Sequence, residues 1–501
     1  MDFAGLSVEH IVFVGSILLF ISIIAGKTGY RFGVPVLLLF LAIGMIFGIR
    51  IETANPNTVQ FIGVLALNII LFSGGMDTKF SEIKPVIVQG IVLATLGVLL
   101  TAVITGWFIY FVTQHFFTAI AFSFLEAILL ASVMSSTDSA SVFAILGSKG
   151  LVLKQRLRPL LELESGSNDP MAYLLTITFI QWILLGEGGL WSVAGTFVLQ
   201  LVVGAGLGYL LGRLAVRLIN RIDIDNESLY PVLLLTLLFI VFSVASFAKG
   251  NGYLAVYISG LVVGNSKFVH KKTSKKFMDG MTWLFQIVMF LTLGILVNPK
   301  ELLPIMGIGM AVSLFMIFFS RPVSVWICLL PFKKVTIKAR HYVSWVGLRG
   351  AAPILFATYP LTSGIEVGGM IFNIVFFVTL VSLLVQGTSV PSVARILGLA
   401  GGANKQKNKL HTFDVEISDE IKSIMTELTL TEEHLSHGKR IMDMPMPENT
   451  LAVMVKRDEH YFVPKGATEL EPGDSLLLIS DNEKTLQETY EQLGTSDSIT
   501  N

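Results

Sequence analysis

LELESGSNDP, residues 161–170, places three carboxylates (Glu162, Glu164 and Asp169), two serines and an asparagine between long apolar runs. The chain has 501 residues, 53% hydrophobic and 14% charged, with a mean hydropathy of +0.71, whereas ordinary soluble domains carry about 25% charge. That balance belongs to a polytopic membrane protein. A charge at membrane depth costs about 2.5 to 3.5 kcal/mol on insertion scales, so the decapeptide marks an ion pathway by default. The formal net charge is zero, a total that says nothing about nucleic acid or acidic partners; no nucleic acid is expected as a partner. Cys328 is the single cysteine, which excludes a disulfide framework and a thiolate metal cluster.

A bilayer core needs about 20 apolar residues per helix. Such runs start near Val8, Gly33, Val59, Val86, Ala119, Pro159, Ser192, Leu229, Tyr253, Met281, Leu302, His341 and Gly369, which predicts about thirteen spans in contact with lipid. The first run lacks a basic flank, with Asp2 and Glu9 at its start, and reads as a span, not a cleavable signal. Alternate loops divide the lysines and arginines twenty to three: Lys27 to Arg31, Lys79 to Lys84, Lys149 to Arg158, Arg213 to Arg221, Lys267 to Lys276 and Lys333 to Arg340 on one side, Arg50, Lys249 and Lys300 on the other. Basic loops stay inside, so the N-terminus is expected outside and the C-terminus in the cytoplasm.

Polar residues break three of the spans. In SSTDSAS (135–141), Asp138 falls in mid-span, among hydroxyls able to satisfy an unwound backbone. Within 161–170, Ser165 and Asp169 are i,i+4 neighbours on one helix face and Glu164 and Asn168 on another; Pro170 and Gly166 predict a kink beside Asp169. In SWVGLRGAAPILFA (344–357), Arg349 interrupts the run, and a guanidinium that keeps its proton needs a carboxylate partner. Glu164 is the expected partner, which leaves Asp169 without a permanent counter-charge. Isolated serines and threonines, and Glu126 near the edge of its span, read as packing residues; Glu162 has no role.

A water-accessible carboxylate without a fixed counter-ion holds either a proton or a monovalent cation, and competition for it is exchange. Asn168 does not titrate, so a one-for-one, electroneutral cycle is expected.

STDSASVFAIL, LELESGSNDP and VGLRGA, in this order and about 30 and 180 residues apart, resemble the monovalent cation:proton antiporter family in its NhaP-like, Asn-Asp branch. The resemblance covers nearly all of residues 1–398. It implies an all-α polytopic fold of about thirteen transmembrane helices, inverted six-helix repeats, crossed interrupted helices and a homodimer in a bacterial inner membrane. By motif it assigns Thr137 (through its carbonyl), Asp138, Ser165 and Asp169 to the cation, Asn168 to a structural role, and Glu164 with Arg349 to a buried ion pair. Where the family often has a glutamate in the third span, this chain has Ser73 in LFSGGMD, another candidate ligand. The lost negative charge favours potassium, the more easily dehydrated ion, over sodium.

After AGGANKQKNKL, a linker over 399–412, the composition turns polar and charged. Residues 413–495 predict a small cytoplasmic α+β domain and 496–501 a tail. TLAVMVKRDEHYFVP and GDSLLLIS read as strands, SDEIKSIMTELTL and NEKTLQETYEQLG as helices. Residues 441–480 resemble a TrkA-C domain, which implies dimerisation, regulation of the membrane part and a candidate nucleotide ligand, cyclic di-AMP or an adenine nucleotide. No cofactor is expected for transport.

Potassium or sodium exchanged for protons is therefore the expected activity. The main rival, a channel with the same regulatory module, lacks a Thr-Val-Gly-Tyr-Gly filter. An organic-anion symporter needs an extra basic residue, for which Arg321 in FFSRPVSVW is the only spare one. No nucleophile with a base points to an enzyme.

Overall fold

The computed structural model describes residues 8–32, 36–48, 55–186, 190–402 and most of 425–480. It divides into two units, Met1–Ala403 and Asn404–Asn501.

The first unit is helical: α1 Val8–Phe32, α2 Val36–Gly48, α3 Pro56–Asp77, α4 Phe80–His115, α5 Phe124–Val133, α6 Ser139–Ser148, α7 Leu157–Leu185, α8 Leu190–Arg221, α9 Leu229–Phe247, α10 Gly252–Gly264, α11 Lys271–Ile295, α12 Pro299–Leu329, α13 Ile337–Trp345, α14 Ala351–Thr362 and α15 Gly368–Ile396. Seven of these are individually long and apolar enough to cross a membrane. The short helices pair across breaks: α5 with α6, and α13 with α14, each form one interrupted span. Thirteen spans result among the described residues, one for each apolar run.

The breaks fall in the fifth and twelfth spans. If the seventh span, α8, is the connector, each flanking set of six has its broken helix fifth. An offset of seven reverses the direction of corresponding spans, which is the inverted repeat. The fourth and eleventh spans, α4 and α12, also correspond, and each carries a π-helical turn, at Leu93–Gly97 and Met316–Ser320. Such turns mark strained, often functional positions. The two spans touch in the interior, where Thr105 donates to the Ser320 hydroxyl at 2.8 Å.

Local chemistry sets the ends of the broken spans. The Ser123 side chain accepts from the Glu126 backbone N–H while the Glu126 carboxylate accepts from the Ser123 N–H, a capping box that starts α5 and gives Glu126 an architectural role. Asp138 caps α6, accepting from the Ser141 N–H at 3.1 Å and from the Ser141 hydroxyl. Helix α7 continues through Pro170, whose carbonyl accepts from the Asn251 side-chain amide at 2.6 Å.

Two short strands close this unit. β1 Leu151–Leu153, between α6 and α7, pairs antiparallel with β2 Ala400–Gly402, directly after the last span. The first residues of the expected linker are thus strand. The Lys154 N–H extends the pairing to the Leu399 carbonyl at 3.0 Å.

The second unit contains a four-stranded antiparallel sheet in the order β3-β6-β4-β5, formed by β3 Met425–Thr429, β4 Thr450–Arg457, β5 His460–Phe462 and β6 Ser475–Ser480. The strands expected from TLAVMVKRDEHYFVP and GDSLLLIS are present. The end of SDEIKSIMTELTL, expected to be helical, is instead strand β3. Its apolar residues suit a helix equally well, but pairing Met425–Thr429 along Ile479–Ser475 satisfies the β6 edge and buries Leu428. NEKTLQETYEQLG lies outside the described residues. Arg457 makes a bidentate contact with buried Asp474, at 2.9 and 2.8 Å, which ties the end of β4 to the turn before β6.

Candidate ion-binding site

Two broken spans and one intact helix make the site. The peptide between α5 and α6 crosses the peptide between α13 and α14, with the Asp138 N–H donating to the Leu348 carbonyl at 2.8 Å. A Cβ on Gly350 would collide with the Asp138 side chain, so glycine permits the crossing. At that crossing Asp138 faces the positive N-terminal end of α6. Arg349 sits beyond the negative C-terminal end of α13 and donates through Nη1 to the Gly347 carbonyl at 2.9 Å. Each charge thus opposes the helix dipole beside it.

Helix α7 supports the first break. The Ser165 hydroxyl donates to the Thr137 carbonyl at 2.9 Å and accepts from the Ser139 N–H at 3.0 Å, while the Asn168 amide donates to the Thr137 hydroxyl. Span α15 supports the second: Ser382 accepts from the Arg349 N–H at 3.0 Å, and the Gln386 amide donates to the Trp345 carbonyl at 2.8 Å. The sixth and thirteenth spans thus perform corresponding tasks.

The two faces expected of α7 are separate. Glu164 and Asn168 are buried, each 1% exposed. Ser165 and Asp169 line a cavity of about 260 Å³ together with Asp138, Glu162, Arg158 and Asp77, which is large enough for an ion with several waters. Asp169 accepts a hydrogen bond from Ser136, and among the described residues no basic side chain pairs with it. Arg158, Glu162, Ser165, Asp169 and Tyr173 follow each other at steps of three or four along α7 and form a single stripe. At one end Arg158 and Glu162 pair at 2.8 Å, which provides Glu162 with a partner and a place on the cavity wall. At the other end Tyr173 packs edge-on against Tyr253, with ring centroids 4.7 Å apart, and Tyr253 shares a hydrogen bond with Tyr359 at 3.1 Å.

The expected Glu164–Arg349 ion pair is replaced by another. The partner of Glu164 is Arg321, and both are buried. Arg321 leaves α12 just after its π-helical turn, and a Cβ on Gly347 would come within 2.9 Å of its Nε, so glycine there leaves the arginine room. Arg349 is held in the extended break by its own backbone bond to Ser382. The two arginines line one small void with Gly347, Ser382 and Gln386. The signal for Arg321 was present in the sequence: Ser320-Arg321-Pro322 interrupts an apolar run as Gly-Leu-Arg-Gly does. Thr137 does not line the Asp169 cavity, since its carbonyl and hydroxyl face Ser165 and Asn168. Ser73 is buried beside a second, larger cavity of about 910 Å³. Asn251 and the tyrosines were not singled out from the sequence.

The sodium/hydrogen exchanger, transmembrane, family profile matches residues 16–396, and the TrkA-C domain profile residues 425–494. The chain is 35% identical over 472 residues to a K(+)/H(+) antiporter NhaP of Alkalimonas amylolytica, covering 93% of this chain and 80% of that protein. It is likewise 35% identical over 488 residues to a K(+)/H(+) antiporter NhaP2 of Shewanella baltica, covering 96% and 82%. A Na(+)/H(+) antiporter NhaH of Halobacillus aidingensis is 29% identical over 318 residues, 62% of this chain and 76% of that one. The sodium proton antiporter MjNhaP1 of Methanocaldococcus jannaschii shares the fold, with a TM-score of 0.68 at 22% identity over 78% of this chain and 99% of that chain.

Proposed function

The chain belongs to the sodium/hydrogen exchanger family and is a multi-pass cation/proton antiporter with a TrkA-C domain, and from that premise we propose that it exchanges potassium for protons one for one at Asp169. The carrying observation is the Asp169 carboxylate, which faces a cavity beside a broken helix and has no basic partner among the described residues. Proton and cation compete for that carboxylate, and each expels the other. The occupied, neutral site crosses the barrier; the empty anion does not, because moving it through low dielectric costs too much. Asn168 is neutral, so one proton is counted per cycle.

Alternating access has two natural closures along the α7 stripe: the Arg158–Glu162 pair at the cavity mouth and the Tyr173, Tyr253 and Tyr359 cluster at the far end. With the basic loops inside, the open cavity faces the cytoplasm of a bacterial inner membrane, the N-terminus lies outside, and the protein works as a homodimer. Two relatives named K(+)/H(+) antiporters match over more than nine-tenths of the chain, which favours potassium over sodium; sodium is the second substrate. The TrkA-C domain regulates exchange, with cyclic di-AMP or an adenine nucleotide as its ligand. The β1–β2 pairing supports that role, because it joins the segment leading to the tail to the connection between α6 and α7.

The test is proton flux in sealed proteoliposomes loaded with a pH dye. Potassium, sodium or lithium added outside should alkalinise acid-loaded vesicles without a counter-ion shunt, and Asp169→Asn should abolish the response. Wild-type rates in that variant would remove Asp169 from the mechanism.

A further inference from the structure

Resting on exchange at Asp169, we infer that Asp77 determines cation affinity on the approach to that site, with the Lys275 ammonium taking the cation's place when none is bound. Asp77 is the only charged side chain, among the described residues, that lines both the 260 Å³ cavity containing Asp169 and the 910 Å³ cavity beside it. The larger cavity is also lined by Lys149, Asp279 and Arg395, all three exposed. An ion passing from the larger cavity to the smaller one therefore passes Asp77.

A structural role accounts poorly for a carboxylate at this position. Asp77 is the last residue of α3 and the only acid in that helix. The C-terminus of a helix is already the negative end of its dipole, so a carboxylate there weakens the helix and deepens the local potential for a cation. Ser73, one turn earlier, carries no charge, which leaves Asp77 to supply all the negative charge on this stretch of α3.

Lys275, from the first turns of α11, contacts Asp77 at 2.7 Å, with both side chains about half exposed, 46% and 51%. Exposed pairs of this kind are weak and exchange readily. A primary ammonium is also a monovalent cation, so the pair is an internal competitor for the same carboxylate, and an arriving ion needs only to replace it.

The alternative, an ordinary surface ion pair, makes a different prediction. Removing either partner of a structural pair breaks the same contact, so Asp77→Asn and Lys275→Gln would act in the same direction. If Asp77 receives the cation, the two act oppositely. In full-length protein reconstituted in liposomes, Asp77→Asn should raise the apparent KM for potassium about fivefold and Lys275→Gln should lower it by a similar factor, with kcat retained in both. The double variant should match Asp77→Asn, and Asp77→Glu should restore most of the affinity. Shifts of the same sign, an unchanged KM in Asp77→Asn, or a loss confined to kcat would each overturn the assignment. Absence of exchange in the wild-type protein would instead refute the function proposed above.

Discussion

The backbone N–H of Asp138 donates to the carbonyl of Leu348 at 2.8 Å, a bond that joins two interrupted spans separated by seven along the chain. Everything else at the crossing is arranged around this contact, including the absent side chain of Gly350. Gly350→Ala forces a methyl group against the Asp138 carboxylate, and overpacking of this kind costs about 1 to 3 kcal/mol. A lowered thermal midpoint of the detergent-solubilised protein is expected, with a loss of exchange larger than stability alone explains. Wild-type flux and melting would show that the crossing tolerates separation.

Glu164 and Arg321 are buried together, at 1% and 3% exposure. Removing one partner leaves an unpaired charge, at a cost of about 3 to 5 kcal/mol. Glu164→Gln and Arg321→Gln should therefore each destabilise the protein strongly, while the double variant recovers much of the loss. Arg349→Gln combined with Glu164→Gln should show the weaker coupling, since Arg349 bonds to Gly347 instead. A double-mutant cycle on thermal midpoints measures both couplings, and a stronger Glu164–Arg349 term would refute the pairing.

What the sequence made legible follows from the range of the physics involved. Thirteen apolar runs were readable because lipid imposes the requirement on each segment alone. The break at Asp138 was readable because hydroxyls and a carboxylate that compete with helix bonding stand next to each other. The choice of Arg321 over Arg349 was not, because both interrupt apolar runs and nothing local reveals which one reaches a carboxylate 157 positions away. Strand β3 failed for a related reason: Met425–Thr429 has no decisive periodicity, and only its pairing with β6 selects the strand.

Competition at one carboxylate fixes the direction of the pH dependence. Protons occupy Asp169 at the expense of the cation as pH falls, so the apparent KM for potassium should rise on acidification, by about tenfold per pH unit once the proton-bound form dominates. The saturating rate in high potassium should change far less. Initial rates across a grid of pH and potassium concentration separate the two effects. A KM that stays constant while the saturating rate falls would indicate a separate proton site.

The β1–β2 pairing offers a way to separate transport from its regulation. Lys154 bonds to Leu399, and alternation along an antiparallel ladder then makes Val152 and Gly401 a hydrogen-bonded pair. Gly401→Pro removes that donor, whereas Gly401→Ala keeps it and places its Cβ no closer than 3.5 Å to its neighbours. If the tail acts through this strap, Gly401→Pro in the full-length protein should reproduce the flux of a chain truncated after Ala403, which retains β2 and lacks the TrkA-C domain. Gly401→Ala should behave as wild type, and Asp169→Asn should be silent in every background. A proline variant that keeps wild-type flux while the truncation changes it would show that the tail acts by another route.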